Sequence, residues 1–322
     1  MFSPLIGQPQ AIELLTQAVK QNRIAPAYMF VGSEGVGRSL AARCFIELLF
    51  SSSIEPHQIP TLQNRIRQGN HPSLFWVEPT YQYQGQRLTA AEAAEKGVKR
   101  KAPPVIRLEQ IREITQFLSR PPLEASRNVV VLEQAETMAE SAANALLKTL
   151  EEPGQATLIL IAPSPESVLP TLVSRCQKIP FYRLDRSGVA QVLTQTGNEE
   201  ILQHPEVLSL AAGSPGSAIV SYQQLQTIPN DLLQQVTKTP TSYRSALELA
   251  KKIDKELDTE AQLWLIDYLQ QSYWQQIHQP TIIEQLEKTR KNLLCYAQPR
   301  LVWECTFLSI FQMSRSYTNP LS

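Results

Sequence analysis

The stretch FVGSEGVGRSLA, residues 30–41, carries glycines at 32, 35 and 37 and a hydroxyl at Ser39. That spacing approaches G-x-x-x-x-G-K-[ST]. In that pattern backbone N–H groups cradle phosphates, a lysine reaches the outer phosphates, and the hydroxyl sits on magnesium. Arg38 stands at the lysine position. A guanidinium is a wide planar fork and an ammonium a compact point charge, so the exchange is not conservative. Helix N-terminus and backbone donors still attract phosphate by themselves. Gly32, Gly35, Gly37, Arg38 and Ser39 are therefore candidates for a degenerate phosphate loop.

A second candidate is NVVVLEQAE, residues 128–136, four apolar residues followed by Glu133 and Gln134. A metal-holding strand of this kind ends in Asp-Glu. Glu133 is longer by a methylene, which displaces any magnesium contact. An amide at Gln134 cannot accept a proton from an attacking water, so general-base catalysis has no agent there. The plain alternative for Glu133 is a solvated acid capping a buried strand. A third candidate is Ser174-Arg175-Cys176. Taken by itself, Arg175 reads as an ordinary salt-bridge partner. Cys176 has no histidine near it in sequence and reads as a small buried residue rather than a nucleophile.

These residues need elements to hold them. Ile12, Leu15, Ala18 and Val19 share one face of a helix ahead of the loop. Apolar strands are expected at 27–31, 74–77, 128–132 and 157–162, alternating with helices, which argues for a mostly parallel sheet covered on both faces. The phosphate loop then lies at the sheet's carboxyl edge, where such folds bind ligands. Residues 81–104, YQYQGQRLTAAEAAEKGVKRKAPP, hold few large apolar side chains and read as a partly disordered excursion. The basic run within it, Val98-Lys99-Arg100-Lys101, suits a solvated tether or a nucleic-acid contact.

Beyond Phe181 no strand is expected. GSPGS at 213–217 breaks a helical pair, and from Tyr243 the chain reads as successive amphipathic helices. Leu265, Ile266, Leu269 and Tyr273 share a face of one, and Ile283, Leu286 and Leu293 lie along another. The final helix, LVWECTFLSIFQMS, is apolar almost all round and must be buried in its own domain or against a partner.

A length of 322 residues allows two or three domains, and 30 basic against 30 acidic residues give no net field to announce nucleic acid or membrane. The four cysteines have no close pairing, so neither a disulfide framework nor a cysteine metal site is suggested. No apolar run approaches a membrane span and no basic-then-hydrophobic leader opens the chain. A cytoplasmic protein is expected.

ANALLKTLEEP at 143–153, in order with Glu133 and with Ser174-Arg175-Cys176, resembles the AAA+ clamp-loader subunits of bacterial DNA polymerase III. The resemblance runs from Gln8 to about Tyr222 and rests beyond that on helical character. It implies an α/β fold: a RecA-like AAA+ core with a parallel sheet over 1–180, a small helical lid over 181–228, and an all-α collar over 229–322. It implies a hetero-pentamer with ATPase gamma/tau-type and delta-type subunits, meeting the sliding clamp and primed DNA through that complex. Within it this chain would be a stator without useful ATPase activity. Arg175, with Ser174 and Cys176, would act on the neighbour's bound ATP. Gly216 stands where an active relative carries a lid arginine. No cofactor is required, and ATP binding is left open. Many relatives carry a four-cysteine zinc module after the first core helix; residues 51–70 lack cysteine, and His57 and His71 are too few for a tetrahedral site, so zinc is not expected. Two alternatives are an active clamp-loader ATPase and a free-standing AAA+ nucleic-acid remodeller. The first needs Arg38 and Gln134 to be tolerated; the second needs its own catalytic glutamate and lid arginine, and neither is visible.

Overall fold

A computed structural model describes residues 2–51, 54–97, 103–295 and 297–318. The chain divides into two units, one comprising residues 1–197 with 213–216, the other 198–212 with 217–322.

The first unit contains α1 (Pro9–Lys20), β1 (Ala27–Val31), α2 (Arg38–Ser51), α3 (Ile59–Gln68) and β2 (Leu74–Val77). A hairpin of β3 (Tyr81–Tyr83) and β4 (Gln86–Leu88) follows, then α4 (Ala90–Glu95) and α5 (Leu108–Leu118). The remainder is β5 (Asn128–Leu132), α6 (Glu140–Glu151), β6 (Ala156–Ala162), the single turn α7 (Pro170–Val173), β7 (Gln177–Pro180) and α8 (Arg186–Gln195). Five strands form one parallel sheet in the order β2-β5-β6-β1-β7. Strand side chains alternate between faces, and both faces are covered. Tyr28, Phe30, Val129, Val131, Ile159 and Ile161 pack with Leu15, Phe45 and Ile46 of α1 and α2. Met29, Val130, Leu132, Leu158 and Leu160 pack with Ile111, Ile114 and Leu146 of α5 and α6. Two apolar faces are why these strands are continuous apolar runs rather than alternating ones.

The excursion is not disordered where it is described. Residues 81–97 fold into the hairpin and α4, with Gln84 and Gly85 both at positive φ (48° and 79°) in its two-residue turn. That is the backbone a tight hairpin requires. The basic run at 98–101 lies outside the described residues.

The second unit is helical: α9 (Pro205–Ala211), α10 (Pro215–Thr227, its first two residues counted with the first unit), α11 (Asn230–Val236), α12 (Tyr243–Glu256), α13 (Thr259–Ile277), α14 (Pro280–Leu294) and α15 (Pro299–Thr318). Leu265, Leu269, Tyr273, Leu286, Trp303 and Phe307 form its core. Two of its buried polar groups are paired across helices: the Trp303 indole N–H donates to Gln262 (2.9 Å) and the Tyr273 hydroxyl to the Val236 carbonyl (2.7 Å). Two expectations shift here. On α14 it is Ile282, with Leu286, Thr289 and Leu293, that turns inward, while Ile283 is only half-buried. The last helix keeps an open side, with Leu301 and Cys305 exposed. Among the described residues no helix is long and apolar enough to cross a membrane.

Candidate functional site

The glycine loop runs from the end of β1 to the start of α2, at the carboxyl edge of the sheet, where β1 separates β6 from β7. Such a switch in strand order opens a ligand crevice. Gly32 is there because the chain passes close by: a Cβ would fall 2.4 Å from the Phe181 carbonyl oxygen. The loop is also pinned by Gln8, which is 1% exposed. Its amide nitrogen donates to the carbonyls of Val36 (3.2 Å) and Tyr182 (2.7 Å), and its oxygen accepts from the Tyr182 N–H (3.0 Å). These partners are 28 and 174 residues away in sequence. No local spacing announces them.

Residues 213–216 sit on this loop. The Ser214 hydroxyl donates to the Glu34 carbonyl at 2.6 Å and the Gly216 N–H to the Gly35 carbonyl at 3.0 Å. A Cβ on Gly216 would lie 2.6 Å from the Cα of Gly35, so no side chain fits at 216 while this contact stands. Glycine at the expected arginine position thus has a packing cause.

Ser39 and Glu133 meet. The Ser39 hydroxyl donates to one carboxylate oxygen of Glu133, and the Trp76 indole N–H donates to the other at 2.9 Å. Glu133 is therefore no solvated acid: it joins the first turn of α2 to the end of β2. Trp76 was not visible as a site residue in sequence, because in a buried strand an indole reads as packing. Gln134 adopts positive φ (50°) and opens a short 3-10 turn, its carbonyl accepting from the Thr137 N–H (2.9 Å) and hydroxyl (2.7 Å).

Arg38 points into the protein, 9% exposed, and its Nη1 has no hydrogen-bond partner among the described residues. Burial pulls its pKa down, opposed by the carboxylates of Glu136, Glu34 and Glu133. It remains protonated regardless. Burial pushes the Glu136 carboxyl pKa up, against a backbone hydrogen bond and Arg38. Arg38 is thus a desolvated cation whose charge the three acids favour only in part.

Arg175 is elsewhere, following the single turn α7. Its Nη1 donates to the Thr171 carbonyl (3.0 Å) and its Nη2 to Glu151 at the end of α6 (2.8 Å). The Ser174 hydroxyl also donates to Thr171 (3.0 Å). The Cys176 thiol is pushed up to about 11 by burial, so it stays protonated at neutral pH. His71, considered above for a metal, is 4% exposed, stacks on Phe50 at 4.6 Å, and accepts from the Ser73 N–H through Nδ1 (3.2 Å). The candidate residues thus form two groups: Gly32, Gly35, Arg38, Ser39, Glu133 and Gly216 converge, while Arg175 bonds to Thr171 and Glu151.

A family model described as DNA polymerase III, delta subunit, matches residues 7–185. A second, described as cyanobacterial DNA polymerase III delta prime, C-terminal domain, matches residues 187–310. The chain is 30% identical over 191 residues to DNA polymerase III subunit delta' of Bacillus subtilis, covering 58% of this chain and 51% of that protein. It is 33% identical over 202 residues to DNA polymerase III subunit delta' of Pseudomonas aeruginosa, covering 60% and 55%. It thus spans about half the length of these relatives. A crystal structure of a DNA polymerase III gamma subunit-related protein from Thermotoga maritima shares the fold, with a TM-score of 0.55 at 15% identity over 94% of this chain and 99% of that one. The parallel sheet with its loop after β1 is a RecA-like AAA+ core followed by a helical region, and the chain belongs to the DNA polymerase III delta-prime family.

Proposed function

We propose that this chain is a non-hydrolysing subunit of a DNA polymerase III clamp loader. It supports assembly with gamma/tau-type and delta-type subunits in a cytoplasmic hetero-pentamer that places a sliding clamp on primed DNA. Arg175 of the Ser174-Arg175-Cys176 turn completes the ATP site of an adjacent subunit. Residues 181–228 serve as the lid and 229–322 as the collar of that assembly.

The observation that carries the reading is Gly216, at the place where an active relative carries a lid arginine: its contact with Gly35 leaves no room for a side chain. Ser39 and Glu133, the two groups that would hold a magnesium ion, are hydrogen-bonded to each other, with the second Glu133 oxygen held by Trp76. Arg38, at the lysine position, is buried at the start of α2. Gln134 then offers no base for water. Gly216 offers no cation, because its contact with Gly35 excludes a side chain.

Magnesium-dependent ATP turnover by the purified chain tests this. Turnover should be at background. The double change Arg38→Lys, Gln134→Glu should leave it there, since neither change supplies a cation at Gly216. Turnover that is abolished by Ser39→Ala would overturn the reading.

A further inference from the structure

We infer that Glu151 is a positioning residue for Arg175, fixing the plane in which the guanidinium is offered to the neighbouring subunit; this rests on the trans role proposed above. Arg175 is held by two arms on two elements. Nη1 is on the Thr171 carbonyl of α7 at 3.0 Å, and Nη2 is on Glu151 at the last position of α6 at 2.8 Å. One anchor leaves a guanidinium free to swing about that bond. Two anchors in different directions set its orientation.

Glu151 does little for its own helix. An acid in the last turn opposes the helix dipole, which favours cations there. Its place is accounted for by what it holds. An arginine side chain carries large rotamer entropy. Ordering it before docking removes that cost from the moment the interface forms and keeps the fork near its productive geometry. A carboxylate beside a cation also weakens the cation's field at a third charge. With Arg175 and Glu151 side chains 38% and 54% exposed, water screens that effect heavily, so orientation outweighs it.

The test uses the full chain reconstituted into the clamp-loader complex, with kcat and KM for ATP measured for Glu151→Ala, Glu151→Gln, Arg175→Ala and the double change Glu151→Ala, Arg175→Ala. The ion pair is exposed, so all variants should melt with the parent. Glu151→Ala should lower kcat about tenfold with KM unchanged, inside the roughly hundredfold that a misplacement of roughly 1 Å can cost. Glu151→Gln keeps an oxygen acceptor toward Nη2 and should recover most of the loss. The double change should equal Arg175→Ala alone, as expected of two residues acting through one contact. A parental kcat in Glu151→Ala beside a depressed Arg175→Ala overturns the positioning role and leaves the trans arginine standing. A double variant worse than Arg175→Ala also overturns it, because Glu151 then acts by another route. A parental kcat in Arg175→Ala removes the trans role, and this inference with it.

Discussion

Glu133 accepts one hydrogen bond through each carboxylate oxygen, from the Ser39 hydroxyl and from the Trp76 indole. Trp76→Phe keeps the ring and removes one donor, leaving a charged oxygen unsatisfied in a half-buried place. The expected loss is about 1–3 kcal/mol, read from the denaturant midpoint at unchanged slope. His71 gives a pH-dependent term. Burial depresses its pKa below the ordinary 6.5, so as pH falls through that value the unfolded chain takes up a proton that the folded ring resists. Stability is thus lost toward acid pH. The melting temperature should fall between pH 7 and pH 5, and fall less in His71→Asn; an identical pH profile in the two proteins would refute it. What the sequence supplies at this level is residue type at a motif position: Gly32, Arg38, Ser39 and Glu133 were singled out that way, and Arg175 by the family resemblance. What it lacks is partners. Ser39 and Glu133 lie 94 residues apart and Arg175 and Glu151 24 apart, joined by strand order rather than by any local pattern.

Strands with two buried faces are the easiest elements to read, and β1, β2, β5 and β6 were found within a residue of their ends. β7 was missed for a physical reason. As an edge strand it buries only Ile179, leaves Gln177 and Lys178 exposed, and ends in Pro180, so no apolar run marks it. The hairpin escaped because Gln-Gly is a weak turn signal beside Asn-Gly. Gly85 at φ 79° makes it testable. A side chain there pays the left-handed penalty of about 1–2 kcal/mol. Gly85→Ala should therefore raise amide exchange in residues 81–88 while the parallel sheet keeps its protection. Loss of protection in β5 or β6 would show that the hairpin is not a separable addition.

Taken whole, the chain has no net charge to steer it, and its exposed apolar side chains stand out instead. In the second unit Tyr243, Leu247, Trp274, Leu294 and Leu301 are each 42% or more exposed, on helices whose inner faces are already filled. Large apolar groups outside a complete core suit a partner surface. Trp274→Ser with Leu301→Ser should leave the melting temperature of the isolated chain within about 2 °C, since neither residue is core. The same pair should weaken entry into the clamp-loader complex at least tenfold by titration. Unaltered assembly would place the contacts on other residues. The helical character of this half was plain from its periodicity, whereas which face looks outward was not: α15 is nearly all apolar in sequence, and only packing against α12 and α14 decides that Trp303 turns in and Leu301 out.

The contact of Gly216 on Gly35 would make the non-hydrolysing state proposed above hard to reverse by mutation. An arginine placed at 216 drives its Cβ into the Gly35 backbone, an overpacking of about 1–3 kcal/mol. In return it meets a loop whose serine is still tied to Glu133 and whose neighbour at 134 is still an amide. Each back-step taken alone costs stability or gains nothing, and only several at once would restore turnover. Single-step selection for ATPase activity therefore has no uphill path from this sequence. The contact would work as a ratchet: it closes the way back at the glycine loop and leaves Arg175, which lies outside it, untouched.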